Sequence, residues 1–423
     1  MQLKSKLSIF TSCLLISTTL NAEDFVRVNY LKYSENDDRI EVDAPSFELN
    51  KDFGVDYTLN VKLISDTVSG ATPVYLNSTS SSTTSGASTV ANSLKSNTNP
   101  NITRDNDDDD DDTTSGASKT SDDDDNENNS STGLKKQNVA MEEERIYSSI
   151  SLVTRLENRD EITTSIVTSR ESDYDSDTLS MDYLLWANSS KNRSYNFGFA
   201  YQRDEVLIKN CSSSNYICSG VSDGSSIKKE LKNFSTEIGL TQIIDKESLL
   251  KFSIFYGKED GYLSNPHYNV VRNYNGTTAD FIKERRPDTR RSYGFNTKYI
   301  RSYTSKLATN YRYRFYTDEW DITSHTIDIN NYYESDEKTT LGFGIRYYMQ
   351  SEAKFFSDNV YNFTDQTYAS HDDRLSDFNA ITYKFSLDFK YDEKLSYNFG
   401  LNMYDQSTGL KATFTSIGMK YSF

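Results

Sequence analysis

Apolar and polar residues alternate with period two along most of this chain. Side chains on a strand point alternately to opposite faces, so such a run predicts a strand with one apolar face and one polar face. Val26, Val28 and Tyr30 share a face, with Arg27 and Asn29 between them. Tyr57, Leu59, Val61 and Leu63 repeat the pattern, and so do Tyr195, Phe197, Phe199 and Tyr201. Leu341, Phe343, Ile345 and Tyr347 are a clear run, and Ile381, Tyr383, Phe385, Leu387 and Phe389 a clearer one. The whole chain yields about sixteen such stretches, each near the ~9 to 11 residues that a tilted strand needs to cross a bilayer. Two stretches are weak. Pro45 breaks the alternation and predicts a bulge or a strand end, and the run at Ile327 and Ile329 is short. Fourteen strands is therefore the alternative count.

The connections sort as well. Residues 51–54, 157–160, 188–191, 245–247, 303–305, 335–337 and 392–393 are short turns. Every long connection falls on the other side: 66–143, 204–226, 258–290 and 352–375. Short turns on one side and long loops on the other are the layout of an antiparallel transmembrane β-barrel. Composition agrees. Mean hydropathy is -0.71 and 35% of residues are hydrophobic, and no later apolar run approaches the ~20 residues of a membrane helix. A barrel tolerates this because half of each strand faces the lumen, and the 31 Tyr and 22 Phe suit its aromatic girdles. The expected fold class is all-β, a transmembrane antiparallel barrel of about sixteen strands with both termini periplasmic.

Residues 1–22 read as a secretory signal, with Lys4 and Lys6 before an apolar stretch. Cys13 lies inside it, with Leu14, Leu15 and Ile16 following, which argues against lipidation. Residues 23–423 read as one barrel domain, interrupted at 66–143 by a Ser/Thr/Asp-rich segment expected to be a disordered external loop. Much of the net charge of -17 sits there, in Asp107 to Asp112 and Asp122 to Asp125. These runs lack the spacing, the central Gly and the closing Glu of a calcium loop, so a solvated acidic loop is the reading preferred. Cys211 and Cys218 are expected to form a small loop disulfide in an oxidising compartment.

At the C-terminus, Ile417, Met419, Tyr421 and Phe423 share one face. This resembles the terminal signal of bacterial outer-membrane barrels, a final Phe after alternating aromatic and aliphatic residues, which the assembly machinery recognises. Two further stretches carry a family resemblance. One runs from L-K-Y-S-E-N-D-D-R-I-E-V-D-A-P at Leu31 to Pro45 on to D-T-V-S-G-A-T-P, ending at Pro73. The other is E-R-R-P-D-T-R-R-S-Y-G-F at Glu284 to Phe295, continuing through Y-R-Y-R-F-Y-T-D-E-W-D at Tyr311 to Asp321 and R-Y-Y-M-Q-S-E-A-K-F-F at Arg346 to Phe356. They resemble the bacterial secreted proteins grouped as domain of unknown function 3570. The resemblance implies one domain over most of the mature chain, with the acidic segment as an insertion, and it implies no activity.

Candidate chemistry lies on the inward face. If the apolar residues meet lipid, then Arg27, Lys62, Lys251, Lys298, Arg312, Arg314, Arg346, Lys384, Lys390 and Lys420 line the lumen. Fewer acids join them: Asp182, Glu237, Asp328 and Asp388. Basic side chains along a pore favour anions, whereas cross-strand pairing would merely hold the wall together; both readings stand at this point. Arg285, Arg286, Arg290 and Arg291 form a second cluster at the external rim near Asp318 and Glu319. Pairing with those carboxylates ranks first, ahead of lipopolysaccharide phosphate or steering of anions. The histidines, His267, His325 and His371, have no marked catalytic partners, and Ser324 beside His325 points to the opposite face. No zinc spacing or nucleotide-binding glycine pattern occurs. No catalytic residue, metal or cofactor is expected. The sequence predicts an outer-membrane channel for small polar solutes in a Gram-negative bacterium, with an anion preference. A structural or partner-holding barrel is the alternative, and an outer-membrane enzyme comes third. Expected partners are outer-membrane lipid, lipopolysaccharide and the barrel-assembly machinery, not nucleic acid.

Overall fold

The structure is a computed structural model that describes residues 24–36, 39–77, 134–209, 226–266, 268–272, 280–358 and 366–423. The predicted signal at 1–22, Cys211 with Cys218, His267 and the middle of the acidic segment lie outside the described residues. The first strands are β1 (Phe25–Glu35), β2 (Ile40–Phe53), β3 (Tyr57–Asn77), β4 (Leu134–Arg155), β5 (Glu161–Glu171) and β6 (Tyr174–Trp186). Next come β7 (Arg193–Lys209), β8 (Ser226–Ile243), β9 (Ser248–Gly261), β10 (Asn269–Arg272), β11 (Asp280–Lys283) and β12 (Thr289–Ser302). The chain closes with β13 (Leu307–Asp318), β14 (Thr323–Glu334), β15 (Thr339–Gln350), β16 (Phe378–Lys390), β17 (Leu395–Gln406) and β18 (Lys411–Ser422).

Sixteen of these strands form one closed barrel, each pairing antiparallel with its chain neighbours and β18 pairing back onto β1; β10 and β11 form a separate two-stranded sheet in the connection between β9 and β12. Closure leaves no sheet edge, so each of these strands is paired on both sides. The weak stretch at Ile327 is a regular strand, β14, paired on both sides. Fourteen strands is thereby excluded.

The predicted break at Pro45 is corrected. β2 runs straight through it, paired with β1 as Tyr30↔Pro45. Toward β3 the pairing stops at Asp43↔Thr67 and resumes at Ser46↔Ile64 in the same register. A proline has no N–H to donate, so the ladder loses its bonds at that point without gaining the extra residue that makes a bulge. The limits of the acidic segment are corrected too. β3 continues to Asn77 and β4 begins at Leu134, in unbroken register from Asp66↔Arg145 to Asn77↔Leu134. A bidentate Arg145–Asp66 pair, at 2.6 and 2.8 Å, ties the start of this extension. Ser, Thr and Gly in the β3 extension, and Lys, Gln, Asn and Glu in that of β4, leave little apolar alternation, which is why the sequence pattern stops short of the strand ends.

The outer wall carries the apolar set. Phe199, Ile254, Phe343, Phe385, Phe399 and Ile417 are all exposed. Leaving a Phe or Ile side chain in water costs roughly 1.5–3 kcal/mol relative to burying it. A belt of dozens is the surface that a bilayer covers, and the wall is that of a transmembrane barrel. Met419 and Tyr421 stand in this belt opposite Val28 and Val26, and the Phe423 N–H donates to the Asp24 carbonyl at 3.0 Å where the barrel closes. On the inner side of that seam, Gly418 sits between the Asn29 and Asn398 amides, which a β-carbon would overlap.

Candidate functional site

Two features occupy the interior face: a basic row on the wall, and a cap built from two loops. The row follows directly from the register. Lys251 on β9 stands opposite Lys298 on β12, and Lys298 opposite Arg312 on β13. Arg312 then faces Asp328 on β14, which faces Arg346 on β15. The alternation that turns Phe252, Ile254, Tyr293 and Ile327 outward turns these five inward.

The two ends of the row differ. Asp328 is 1% exposed. It accepts from Arg346 Nε at 2.9 Å, from Lys384 Nζ at 2.8 and 2.9 Å and from Asn330 Nδ2 at 2.6 Å. Its capacity is used, and Arg346 and Lys384 are held by it. Lys251, Lys298 and Arg312 have no carboxylate within 4 Å among the described residues. Directly opposed like charges destabilise a sheet. The nearest inward acid beyond Lys251 is Glu237 on β8. It lies four residues along the strand from Thr241, the partner of Lys251, or about 13 Å. Glu237 and Asp182 face one another across Gly198, whose missing side chain gives the Asp182 carboxylate its room.

The other predicted lining residues fall in place around this row. Arg314, one inward step above Arg312, lies over the Phe255 ring at 4.7 Å from its centroid. Lys420, Arg27, Glu48 and Lys62 form a second row on β18, β1, β2 and β3, across the barrel. There Arg27 pairs with Glu48 at 3.1 Å, and Arg27 and Lys420 both lie over Phe25 at 5.0 and 4.6 Å. Lys390 is exposed at the turn end of β16, on the same face as Asp388 and away from the row. Alternation found the inward residues. It did not find the inward aromatics Phe25, Phe255 and Tyr316, which the basic side chains cover.

The cap joins the β9–β12 loop to the β15–β16 loop. Arg285 exchanges two backbone hydrogen bonds with Ala369, at 3.1 and 2.8 Å. Arg286 bridges Glu284 at 2.7 Å and Asp372 at 2.6 Å, and all three are buried. Arg374 Nε also donates to Asp372, at 2.8 and 2.9 Å, and Ser370 donates to Glu284. Burial works against the Asp372 charge, but the Arg374 and Arg286 guanidiniums outweigh it and hold the carboxyl well below the usual range. Burial also pushes the Lys283 ammonium down from 10.5 to about 8. Val270, Val271 and Ala369 are fully enclosed beneath this network. A second apolar cluster of Trp320, Ile322, Phe355 and Leu375 seats the β15–β16 loop on the β13–β14 turn. β10 lies beside β3, six strands round the wall from β9. The loop therefore bridges the mouth of the barrel.

The rim arginines are paired. Arg290 donates to Asp318 at 2.6 and 2.9 Å and covers Trp320 at 4.4 Å, and Arg291 donates to Glu319 at 3.1 Å. Arg286 takes its partners from within the cap, and Arg285 lies 5.8 Å from the Tyr368 ring. His325 faces outward, 2.8 Å from the Tyr313 hydroxyl and packed on Phe315, while Ser324 is buried on the inner side. His371 is buried in the cap, with Nδ1 2.5 Å from the Ser357 carbonyl. Where the end of β5 meets the middle of β4, carboxylate oxygens of Glu143, Glu171 and Asp173 lie within 4.8 Å of one another. Such oxygen donors suit calcium or magnesium, and no sequence motif marked them.

Solved structures similar to this chain are barrels. The ferric enterobactin receptor PfeA from Pseudomonas aeruginosa aligns with 91% of this chain and 54% of its own, at 9% identity and a TM-score of 0.41. This chain thus spans little more than half that receptor's length. The P. putida toluene transporter TodX aligns over 95% and 89% at 9% identity, with a TM-score of 0.37. A bacterial polysaccharide outer membrane secretin aligns over 96% and 100% at 6% identity, with a TM-score of 0.45. Likeness at this level carries no argument about substrate or mechanism. No curated protein matches the chain. The family match is extensive: residues 13–419 fit one family throughout, and the chain belongs to the proteins of unknown function DUF3570.

Proposed function

We propose that this protein is an outer-membrane channel for small anionic solutes, with its loops external, its turns periplasmic and its mouth narrowed by the cap. The observation that supports it is the cationic end of the lumen row, Lys251, Lys298 and Arg312, where three directly opposed positive charges have no carboxylate partner among the described residues. A wall built only for stability would give each cation a carboxylate, as Asp328 is given to Arg346 and Lys384. A pore for anions uses the excess charge, since it lowers the cost of removing an anion from bulk water. In this reading no reaction is catalysed, and the partners are lipid, lipopolysaccharide and the assembly machinery.

Conductance of the refolded protein in a planar bilayer, with reversal potentials in a chloride gradient, tests this. Anion preference is expected, and Lys298→Glu should move the reversal potential toward cation selectivity. A cation preference in the unsubstituted protein would sink the proposal. The position of β10 beside β3 favours a second reading, a barrel closed by its cap that holds a partner or serves structurally. A well-folded barrel silent in bilayers would favour it.

A further inference from the structure

We propose that Lys251, Lys298 and Arg312 form a binding subsite for the phosphate group of a small solute. The proposal rests on the channel reading and names the class of solute. Three observations carry it. Lys298 stands directly opposite Lys251 on one neighbouring strand and Arg312 on the other, so its side chain springs from a point about 5 Å from each of theirs. A single bound group can touch all three. Their neighbours on the same face, Asn296 two residues before Lys298 and Asn310 two residues before Arg312, add amide donors. The acids that face the lumen are elsewhere or engaged: Asp328 by Arg346 and Lys384, Glu259 and Asp318 by Arg290. Glu237, with Asp182 beyond it, stands on β8 four residues along from the partner of Lys251.

The residue types select the ligand. Arg312 offers a planar fork that matches two oxygens of a tetrahedral oxyanion, and the lysines supply mobile point charges. Chloride carries a single charge on a single centre, so it leaves two of the three positive charges uncompensated. A phosphate group carries up to two charges and enough oxygens to meet all three.

The test uses the purified full chain in detergent. Inorganic phosphate and a hexose phosphate are titrated calorimetrically in chloride buffer against the unsubstituted protein, Lys251→Gln, Lys298→Gln and Lys298→Arg. Lys394→Gln, in an exposed turn, is the charge-matched control. Circular dichroism checks that each variant keeps its sheet. Saturable binding is expected, weakened at least tenfold by Lys251→Gln and Lys298→Gln, kept within threefold by Lys298→Arg, and unchanged by Lys394→Gln. Equal affinity for the two ligands supports free phosphate as the solute, and tighter hexose phosphate supports a phosphorylated one. Binding unaffected by Lys298→Gln, or weakened equally by Lys394→Gln, overturns the subsite. Parallel bilayer recordings separate the two proposals. Anion-selective current without phosphate binding overturns the subsite and leaves the channel. Lys298-dependent phosphate binding in a barrel that passes no current supports the subsite and overturns the channel.

Discussion

In the cap, Arg286 lies between two buried carboxylates, Glu284 and Asp372. On the wall below, Lys298 lies between Lys251 and Arg312. The two regions are about equally rich in cations, and they are mounted on the same strands, since β9 and β12 carry both the first loop of the cap and the first two lysines of the row. The cap pairs Arg286 and Arg374 with buried carboxylates, and it uses those pairs to join loops distant in sequence. The wall leaves part of its charge uncompensated. That difference separates charge that fixes a structure from charge that remains available to something else.

Arg286→Met should have the largest effect. It leaves Glu284 buried without a cation and Asp372 with Arg374 alone, and breaking a buried pair from one side costs about 3–5 kcal/mol. Urea unfolding of the cap followed by Trp320 fluorescence, in a Trp186→Phe background that leaves one tryptophan, would show it; an unchanged midpoint would remove the cap's claim to be held by these charges. Asp328→Asn comes next. Arg346 and Lys384 would lose their shared partner but keep some water, so a loss of about 1–2 kcal/mol is expected in thermal unfolding of the barrel. The same variant should raise anion selectivity, which sharpens the contrast between the two ends of the row.

The pH dependence of the cap is a smaller effect. The Lys283 pKa is lowered in the fold, to about 8 from 10.5, so between those values the unfolded cap binds more protons than the folded one. Cap stability should therefore rise as pH goes from 8 to 10.5, and Lys283→Met should flatten that rise in the same fluorescence assay. The smallest effect is expected at Lys298→Met. Removing one of three repelling charges should leave barrel stability within about 0.5 kcal/mol or slightly raise it. A loss as large as that of Arg286→Met would mean that Lys298 has a compensating partner, and the contrast would fail.

The wall was largely legible because each strand needs only its own residues to declare its two faces. Phe343 and Ile345 point out and Arg346 points in whatever stands beside them. Register was not legible, and pairing depends on it. That Lys251 meets Lys298, and Asp328 meets Arg346, follows from which residue each turn places opposite which. The cap was less legible still. β10 and β11 are four residues each, too short for a periodic signal, and Arg286 finds Asp372 at a separation of 86 residues. At the rim, Asp318 and Glu319 stood out because they lie in the tight turn facing Arg290 and Arg291. Glu284 and Asp372 did not, because each becomes a partner only after two loops have come together. The polar ends of β3 and β4, with Thr67, Ser69 and Thr72 on one and Lys135, Gln137 and Glu142 on the other, were missed for a simpler cause, since they leave little alternation to read.

The tilt of the strands gives the basic row a property that its register alone does not state. Lys251, Lys298, Arg312, Asp328 and Arg346 stand three, four, five, six and seven residues from the turn ends of their strands. Each step round the wall is therefore also a step upward, of about 3 Å for strands tilted near 40°. Four such steps cover roughly 12 Å, about two-fifths of a ~30 Å hydrocarbon core. The charges form a spiral stair rather than a ring, with Lys251, Lys298 and Arg312 on its lowest treads and Asp328 on the fourth.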